Sequence, residues 1–298
     1  MARVLVSTPT LRGSLDPLAE HLLVEGPPGS DAEADALICG PTHAVDAAIL
    51  RQMPSLRVIA VAGAGTDAID HEAAHERGVA VLAAGEALTE TTADVAFGLI
   101  ISAARLMRDA EAILRADRWQ GWRFLDDFGQ DVSGATLGLV GFGAIGSAVA
   151  RRAAAFAMTV LHHTRHPTRT PGWLANLDEL LPRCDIVSIH VPLTAATRHL
   201  IDERRIALLK STAVLVNTSR GAVLDEDALA DALSAGRLFA AGLDVYEHEP
   251  RVSPRLLAAP RAVLLPHIGS ATLKTREAML RTAAEKVEKF LARGGAGS

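Results

Sequence analysis

Leu137-Gly138-Leu139-Val140-Gly141-Phe142-Gly143-Ala144-Ile145-Gly146-Ser147 decides the fold. A short apolar run enters a turn with glycine at its first, third and sixth positions, and an alanine-rich helical pattern, 147–156, leaves it. Each glycine has a mechanical reason there. Gly141 permits the tight turn, Gly143 lets backbone approach a pyrophosphate, and Gly146 lets helix and strand pack closely. The helix start presents N–H groups and the positive end of its dipole to phosphate, so Ala144 and Ile145 join the glycines as candidate cofactor contacts. The alternative is an ordinary glycine-rich turn.

Outward from this turn the pattern repeats. Downstream of Thr136, strands are predicted at 136–140, 159–162, 186–190, 213–217, 240–243 and 262–265, with helical stretches between them. Upstream, strands are predicted at 3–7, 36–39, 58–61 and 80–82, with helices at 44–52 and 69–77. Alternation of this kind predicts an α/β chain of doubly wound parallel sheets. One long helix is expected over 91–115 and a closing helix over 274–291, with 294–298 a loose tail. The closing helix has no sheet of its own, so it is expected to return to the first domain. The predicted domains are 1–98 with 269–298, flavodoxin-like and substrate-binding, and 99–268, the inserted Rossmann dinucleotide-binding domain. Two chain crossings would then form a hinge over a cleft.

Composition excludes several classes. The 298 residues carry net charge −5 and are 49% hydrophobic, enough for two domains with real cores and without a basic footprint for nucleic acid. No run approaches 18 consecutive apolar residues, and the N-terminal run is too short for a signal peptide, so a cytoplasmic protein off the membrane is expected. Cys39 and Cys184 read as buried thiols in a reducing compartment, and no metal site is predicted.

The segment after the second strand of the nucleotide domain reads the adenosine ribose. Here it is Leu161-His162-His163-Thr164-Arg165-His166-Pro167-Thr168-Arg169, without a carboxylate. An acid would bind a ribose 2′-hydroxyl and repel a 2′-phosphate. Thr164 stands in its place, and Arg165 can pair with phosphate and stack on adenine, with His166 and Arg169 nearby. NADP(H) is therefore expected to be preferred, with NAD(H) also accommodated; a solvated basic loop is the alternative.

Five blocks, Val140–Gly146, His190–Thr194, Val216–Gly221, Gly242–Pro250 and Leu265–Thr272, occur in an order that resembles the D-isomer-specific 2-hydroxyacid dehydrogenases across essentially the whole chain. The resemblance implies three catalytic residues: Arg220, Glu249 and His267. Ketone reduction needs such a set. A proton donor must meet the developing alkoxide, histidine exchanges protons near neutral pH, an adjacent carboxylate favours the charged ring, and a guanidinium can polarise the keto oxygen and clamp a carboxylate. The resemblance also implies that Ala64 and Gly65, in the loop Ala62–Asp67, bind the substrate carboxylate through backbone N–H groups, together with Arg220 and His267. It assigns His190, Pro192, Thr197, Thr218, Ser219, Asp244 and Thr92 to the cofactor, and places Asp94 with Thr92 on the nicotinamide side. Read singly, Arg220 is a surface ion-pair former, Glu249 a loop acid and His267 a core histidine.

Trp119, Trp122 and the run 269–276 are similar to the glyoxylate/hydroxypyruvate reductase branch, although Phe124 stands where that branch usually has proline and Asp126-Asp127 where it often has an aromatic. Trp119 and Trp122 read equally as interface or packing residues. The resemblance implies a small 2-keto acid or 2-hydroxy acid substrate and a homodimer. The competing readings are a non-catalytic NAD(P)H-sensing binding protein of the same fold and a same-fold dehydrogenase of phosphite, D-lactate or 2-ketogluconate.

Overall fold

The computed structural model describes residues 1–122, 124 and 129–294. Asp126, Asp127 and residues 295–298 of the expected tail lie outside the described residues. The chain divides into two compact units, Met1–Thr89 with Ser270–Ser298, and Glu90–Gly269.

The first unit is a five-stranded parallel sheet of β1 (Arg3–Val6), β2 (Leu22–Glu25), β3 (Ala36–Cys39), β4 (Val58–Val61) and β5 (Ala80–Ala83), in the order β2-β1-β3-β4-β5. The inner strands β3 and β4 are buried at every position, as expected for parallel strands covered on both faces. Strand β2 escapes the sequence reading. It is an edge strand whose apolar run, Leu22-Leu23-Val24, is only three residues long, and Leu22 and Leu23 are exposed. The helix Leu273–Gly294 lies on this sheet, burying Met279, Leu280, Ala283, Ala284 and Val287. Lys286 holds Glu86 at 2.6 Å, and His21 holds Glu288 at 2.6 Å.

The second unit is a seven-stranded parallel sheet: β6 (Thr136–Val140), β7 (Thr159–His163), β8 (Trp173–Leu174), β9 (Ile186–Ile189), β10 (Val214–Asn217), β11 (Ala240–Leu243) and β12 (Ala262–Leu264). Its order, β8-β7-β6-β9-β10-β11-β12, reverses direction between β6 and β9. That is the doubly wound pattern, with its ligand crevice outside the carboxyl ends at the reversal. Strand β8 was not predicted. Its two residues pair only with the end of β7, and no local periodicity marks so short an element. His190, expected in β9, stands just beyond it.

The helix expected over 91–115 is two helices, Thr89–Ala104 and Met107–Arg115. They part where Leu106 takes a left-handed φ of 51°, which an α-helix cannot accommodate. Their surroundings differ accordingly. The first buries Ala93, Ala96, Phe97, Leu99, Ile100 and Ala103, while the second buries nothing. A Cβ on Gly242 of β11 would lie 2.9 Å from the Leu99 Cβ, so this helix sits tight on the second sheet. Each of its large apolar side chains contributes roughly 1.5–3 kcal/mol by burial. That packing puts the division at 89/90 rather than at the expected 98/99. The stretch Gly85–Ala104 is long and apolar enough to cross a membrane, but half of its most apolar window is buried, and Ala93, Ala96, Phe97, Leu99, Ile100, Ala103 and Ala104 belong to this core.

Candidate active site

Among the described residues, four helices open on an aspartate whose carboxylate accepts a first-turn N–H: Asp46 from Ile49, Asp70 from Ala73, Asp202 from Arg205 and Asp225 from Ala228. The helix Ala144–Ala155 differs. Its cap is Gly143, which offers no side chain, so its first N–H groups are left for a ligand. The three glycines separate by role. Gly141 has φ 100°, and a Cβ there would sit 2.7 Å from the His190 carbonyl; a Cβ on Gly146 would sit 2.4 Å from the Gly141 oxygen. At Gly143 a Cβ would meet nothing of the protein within 4 Å. Internal packing therefore demands two of the glycines, and the third leaves open space beside the helix start. The residues fit a dinucleotide.

Beside this turn, His190 Nε2 and Ser188 Oγ are 2.9 Å apart, and burial pulls the His190 imidazole down to about 4, so the ring is neutral at pH 7. The Thr197 hydroxyl donates to the Pro192 carbonyl at 2.7 Å and accepts the Thr194 N–H at 2.8 Å, so it shapes its own loop. Thr218 is 7% exposed, and its hydroxyl has no partner among the described residues. A buried hydroxyl without a protein partner at a strand's carboxyl end fits hydrogen bonding to a polar ligand group. The Thr164 hydroxyl is engaged, donating to the His166 carbonyl at 2.7 Å and accepting the Trp173 indole N–H at 3.1 Å. Arg165, His166 and Arg169 are exposed around it.

Arg220 is presented by a turn that Asn217 builds. The buried Asn217 amide donates to the Arg220 carbonyl at 2.9 Å, while its oxygen accepts the Ser219 N–H at 3.0 Å and hydroxyl at 2.9 Å. The next residue must be glycine, since a Cβ on Gly221 would fall 1.8 Å from the Tyr246 carbonyl carbon.

His267 follows β12 with a left-handed φ of 54°. Its Nδ1 lies 2.8 Å from Glu249 Oε2, and Glu249 Oε1 accepts the Tyr246 N–H at 3.0 Å. Both carboxylate oxygens are thus tied, and Nε2 is the nitrogen left to act. Burial pushes the Glu249 carboxyl up. The hydrogen bonds from His267 and Tyr246, with the charges of His267 and Arg220, outweigh it and hold the group below its usual range. The Tyr246 hydroxyl in turn donates to the Leu265 carbonyl at 2.9 Å.

Asp244 is 1% exposed and accepts the Ile268 and Gly269 N–H groups at 2.7 Å each. Its role in anchoring the chain just after His267 escapes the sequence reading, because its partners lie 24 and 25 residues away. Thr92 packs on the same spot, its side chain 3.4 Å from where a Gly269 Cβ would be. Asp94 does not join them. It pairs with Arg152 of the glycine-turn helix at 2.9 Å, since residues two apart on a helix face different sides.

In the first unit, Ala64 and Gly65 lie in the turn after β4. Their N–H groups have no hydrogen-bond partner among the described residues, whereas the neighbouring N–H groups of Ala62 and Gly63 bond the Cys39 and Val61 carbonyls. Trp119, Trp122 and Phe124 are 64%, 80% and 77% exposed.

The family model of the D-isomer specific 2-hydroxyacid dehydrogenase NAD binding domain matches residues 97–269. The glyoxylate reductase of Thermococcus litoralis is 42% identical over 269 residues, 87% of this chain and 81% of that protein. The glyoxylate/hydroxypyruvate reductase B of Klebsiella pneumoniae is 42% identical over 264 residues, covering 86% and 81%. The crystal structure of the NADPH-dependent glyoxylate/hydroxypyruvate reductase of Sinorhizobium meliloti, in complex with NADP and malonate, superposes with a TM-score of 0.90 at 32% identity, over 98% of this chain and 94% of that one. With this match, the doubly wound sheet and the fitted glycine turn, the chain belongs to the D-isomer-specific 2-hydroxyacid dehydrogenase family and is an NAD(P)-dependent oxidoreductase.

Proposed function

We propose that the protein reduces small 2-keto acids of the glyoxylate and hydroxypyruvate type to D-2-hydroxy acids, with NADPH preferred over NADH. The observation that carries the reading is the 2.8 Å pair of His267 Nδ1 with a Glu249 carboxylate whose other oxygen is already anchored. That arrangement keeps the proton on Nδ1 and orients Nε2 as the donor. A bound reduced nicotinamide supplies the hydride to the keto carbon. His267 gives the Nε2 proton to the oxygen as the alkoxide develops, and the ionised Glu249 stabilises the charged ring before transfer. Arg220 polarises the keto oxygen and holds the substrate carboxylate. The free N–H groups of Ala64 and Gly65 are further donors for that carboxylate.

The NADPH preference rests on the exposed Arg165, His166 and Arg169 in a loop without a carboxylate. Gly141, Gly143, Ala144, Ile145 and Gly146 take the pyrophosphate, and His190, Pro192, Thr197, Thr218, Ser219, Asp244 and Thr92 complete the cofactor's surroundings. The relatives named above act as glyoxylate or glyoxylate/hydroxypyruvate reductases, which supports the substrate class. A homodimer belongs to the same reading. The helix Met107–Arg115 buries none of its residues, and Met107, Leu114, Trp119, Trp122 and Phe124 expose a run of large apolar side chains. Cys39 and Cys184 are free and buried, which fits the cytoplasm.

The test is a steady-state screen of glyoxylate, hydroxypyruvate, pyruvate, 2-ketogluconate and phosphite with both cofactors in the appropriate direction. Turnover of the first two, faster with NADPH than NADH, is expected. Cofactor binding without turnover of any would favour a sensor.

A further inference from the structure

His162 is a buried titratable group that the proposed reaction does not use. It lies on β7 with no exposed surface, and its ring stacks on Phe142 of the glycine turn, 4.0 Å between centroids and 26° between planes. One ring nitrogen, Nε2, is 2.9 Å from the Thr168 hydroxyl; the other, Nδ1, has no partner among the described residues. Burying an imidazole with an orphaned nitrogen is costly. A phenylalanine would stack on Phe142 equally well, so stacking does not account for histidine here. What phenylalanine lacks is the bond to Thr168.

Thr168 sits within the basic arch 164–172, whose two ends are tied side by side. The His162 N–H donates to the Gly172 carbonyl at 2.9 Å, the Trp173 indole N–H donates to the Thr164 hydroxyl at 3.1 Å, and His163 Nδ1 lies 3.0 Å from the Leu174 carbonyl. Gly172 has φ 86°, and a Cβ there would fall 2.3 Å from the Val160 carbonyl. These ties secure the feet of the arch. Among the described residues, the His162–Thr168 bond is the one that ties the middle of the arch, between the exposed Arg165 and Arg169, to the sheet.

We infer that His162 is a positioning residue for cofactor selection, bracing Thr168 so that Arg165, His166 and Arg169 stand preorganised for a ribose 2′-phosphate. The inference rests on the proposed NADPH preference and extends it from the residues that touch phosphate to the one that holds them in place. Burial, with the charge of neighbouring His163, pulls the His162 imidazole below its usual value, so the brace is a neutral ring that does not repel the arginines. A fixed arch does not have to be ordered when the anion arrives, so preorganisation appears as affinity for the phosphate-bearing ligand alone.

The experiment is calorimetric titration of the purified protein with NADPH, NADH, adenosine 2′,5′-bisphosphate and AMP, for wild type, Thr168→Val, His162→Phe and the double variant. Loss of one hydrogen-bonded anchor should weaken NADPH and the bisphosphate roughly 3–10-fold. NADH and AMP should stay within about 2-fold, and the double variant should be no worse than either single one. Equal weakening of both cofactors marks a merely structural role and overturns the inference, as does no change at all. Should His162→Phe fail to fold, the half-buried Thr168→Val decides alone. Arg165→Ala separates the two levels: if it leaves the NADPH-to-NADH ratio unchanged, the cofactor reading itself falls; if it collapses the ratio while Thr168→Val does not, only the brace falls.

Discussion

On the proposed reading, each unit holds donors at the carboxyl ends of a parallel sheet, and the two do so by different means. In the second unit the donors are side chains, and each has a keeper. Asn217 shapes the turn under Arg220, Tyr246 and Glu249 hold His267, and Asp244 clamps the two residues that follow it. In the first unit the turn after β4 offers bare backbone, the N–H groups of Ala64 and Gly65. A side chain that must move a proton along one direction has rotamers to suppress and so needs partners. A backbone N–H is aimed by the chain itself and needs only to be left unbonded. Among the described residues the second unit buries Thr92, Asn217, Thr218 and Asp244 near these side chains, while the first buries only Ser14, Asp31 and Thr275 of its polar residues.

If that contrast is right, His267→Ala should show the largest effect. A positioned general acid contributes about 10²–10⁴-fold, so kcat/KM should fall by that order while NADPH affinity, measured by fluorescence titration, stays the same. Activity near that of wild type would break the comparison at its centre.

Glu249→Gln should follow, lowering kcat by roughly 10–100-fold, because the amide cannot stabilise a charged ring. It also carries a pH signature. The folded carboxyl lies below its ordinary value of 4.5, so it favours the folded state above pH 4.5, and that contribution is lost as pH falls through the lower folded value. Melting temperatures measured from pH 6 to pH 3 should therefore fall more steeply for wild type than for Glu249→Gln. Parallel curves would show that His267, Tyr246 and Arg220 do not hold the group ionised.

Ala64→Pro removes one bare donor from the first unit. It should raise KM for glyoxylate about 10-fold, as expected for a hydrogen bond to a charged group, with the NADPH dissociation constant unmoved. A change in cofactor affinity instead would assign the turn a different ligand.

Thr218→Val should have the smallest effect. The hydroxyl has no partner among the described residues, so its removal should leave the melting temperature of the cofactor-free protein unchanged or slightly higher. Cofactor affinity should drop by about 3–10-fold. If the melting temperature falls markedly and affinity does not, the hydroxyl serves the fold.

Much of this was legible along the chain. The glycine turn between strand and helix and the buried runs of β3, β4, β9, β10 and β11 express themselves within about ten residues, the range over which strand and helix periodicity operates, whereas Arg220, Glu249 and His267 were legible only through the resemblance of their blocks to the family. Only the tertiary structure decided that Asp244 clamps the chain after His267, that Asp94 turns to Arg152, that the long helix breaks at Leu106, and that His162 and Trp173 tie the basic arch from below. Those partners are brought together by strand order and by packing between elements. A hydrogen bond across 18 or 25 residues, such as Glu249 to His267 or Asp244 to Gly269, leaves no period in the local pattern. The edge strands β2 and β8 stayed hidden because they are short: the apolar run of β2 is three residues, Leu22-Leu23-Val24, and β8 has only two residues, too few to show a period.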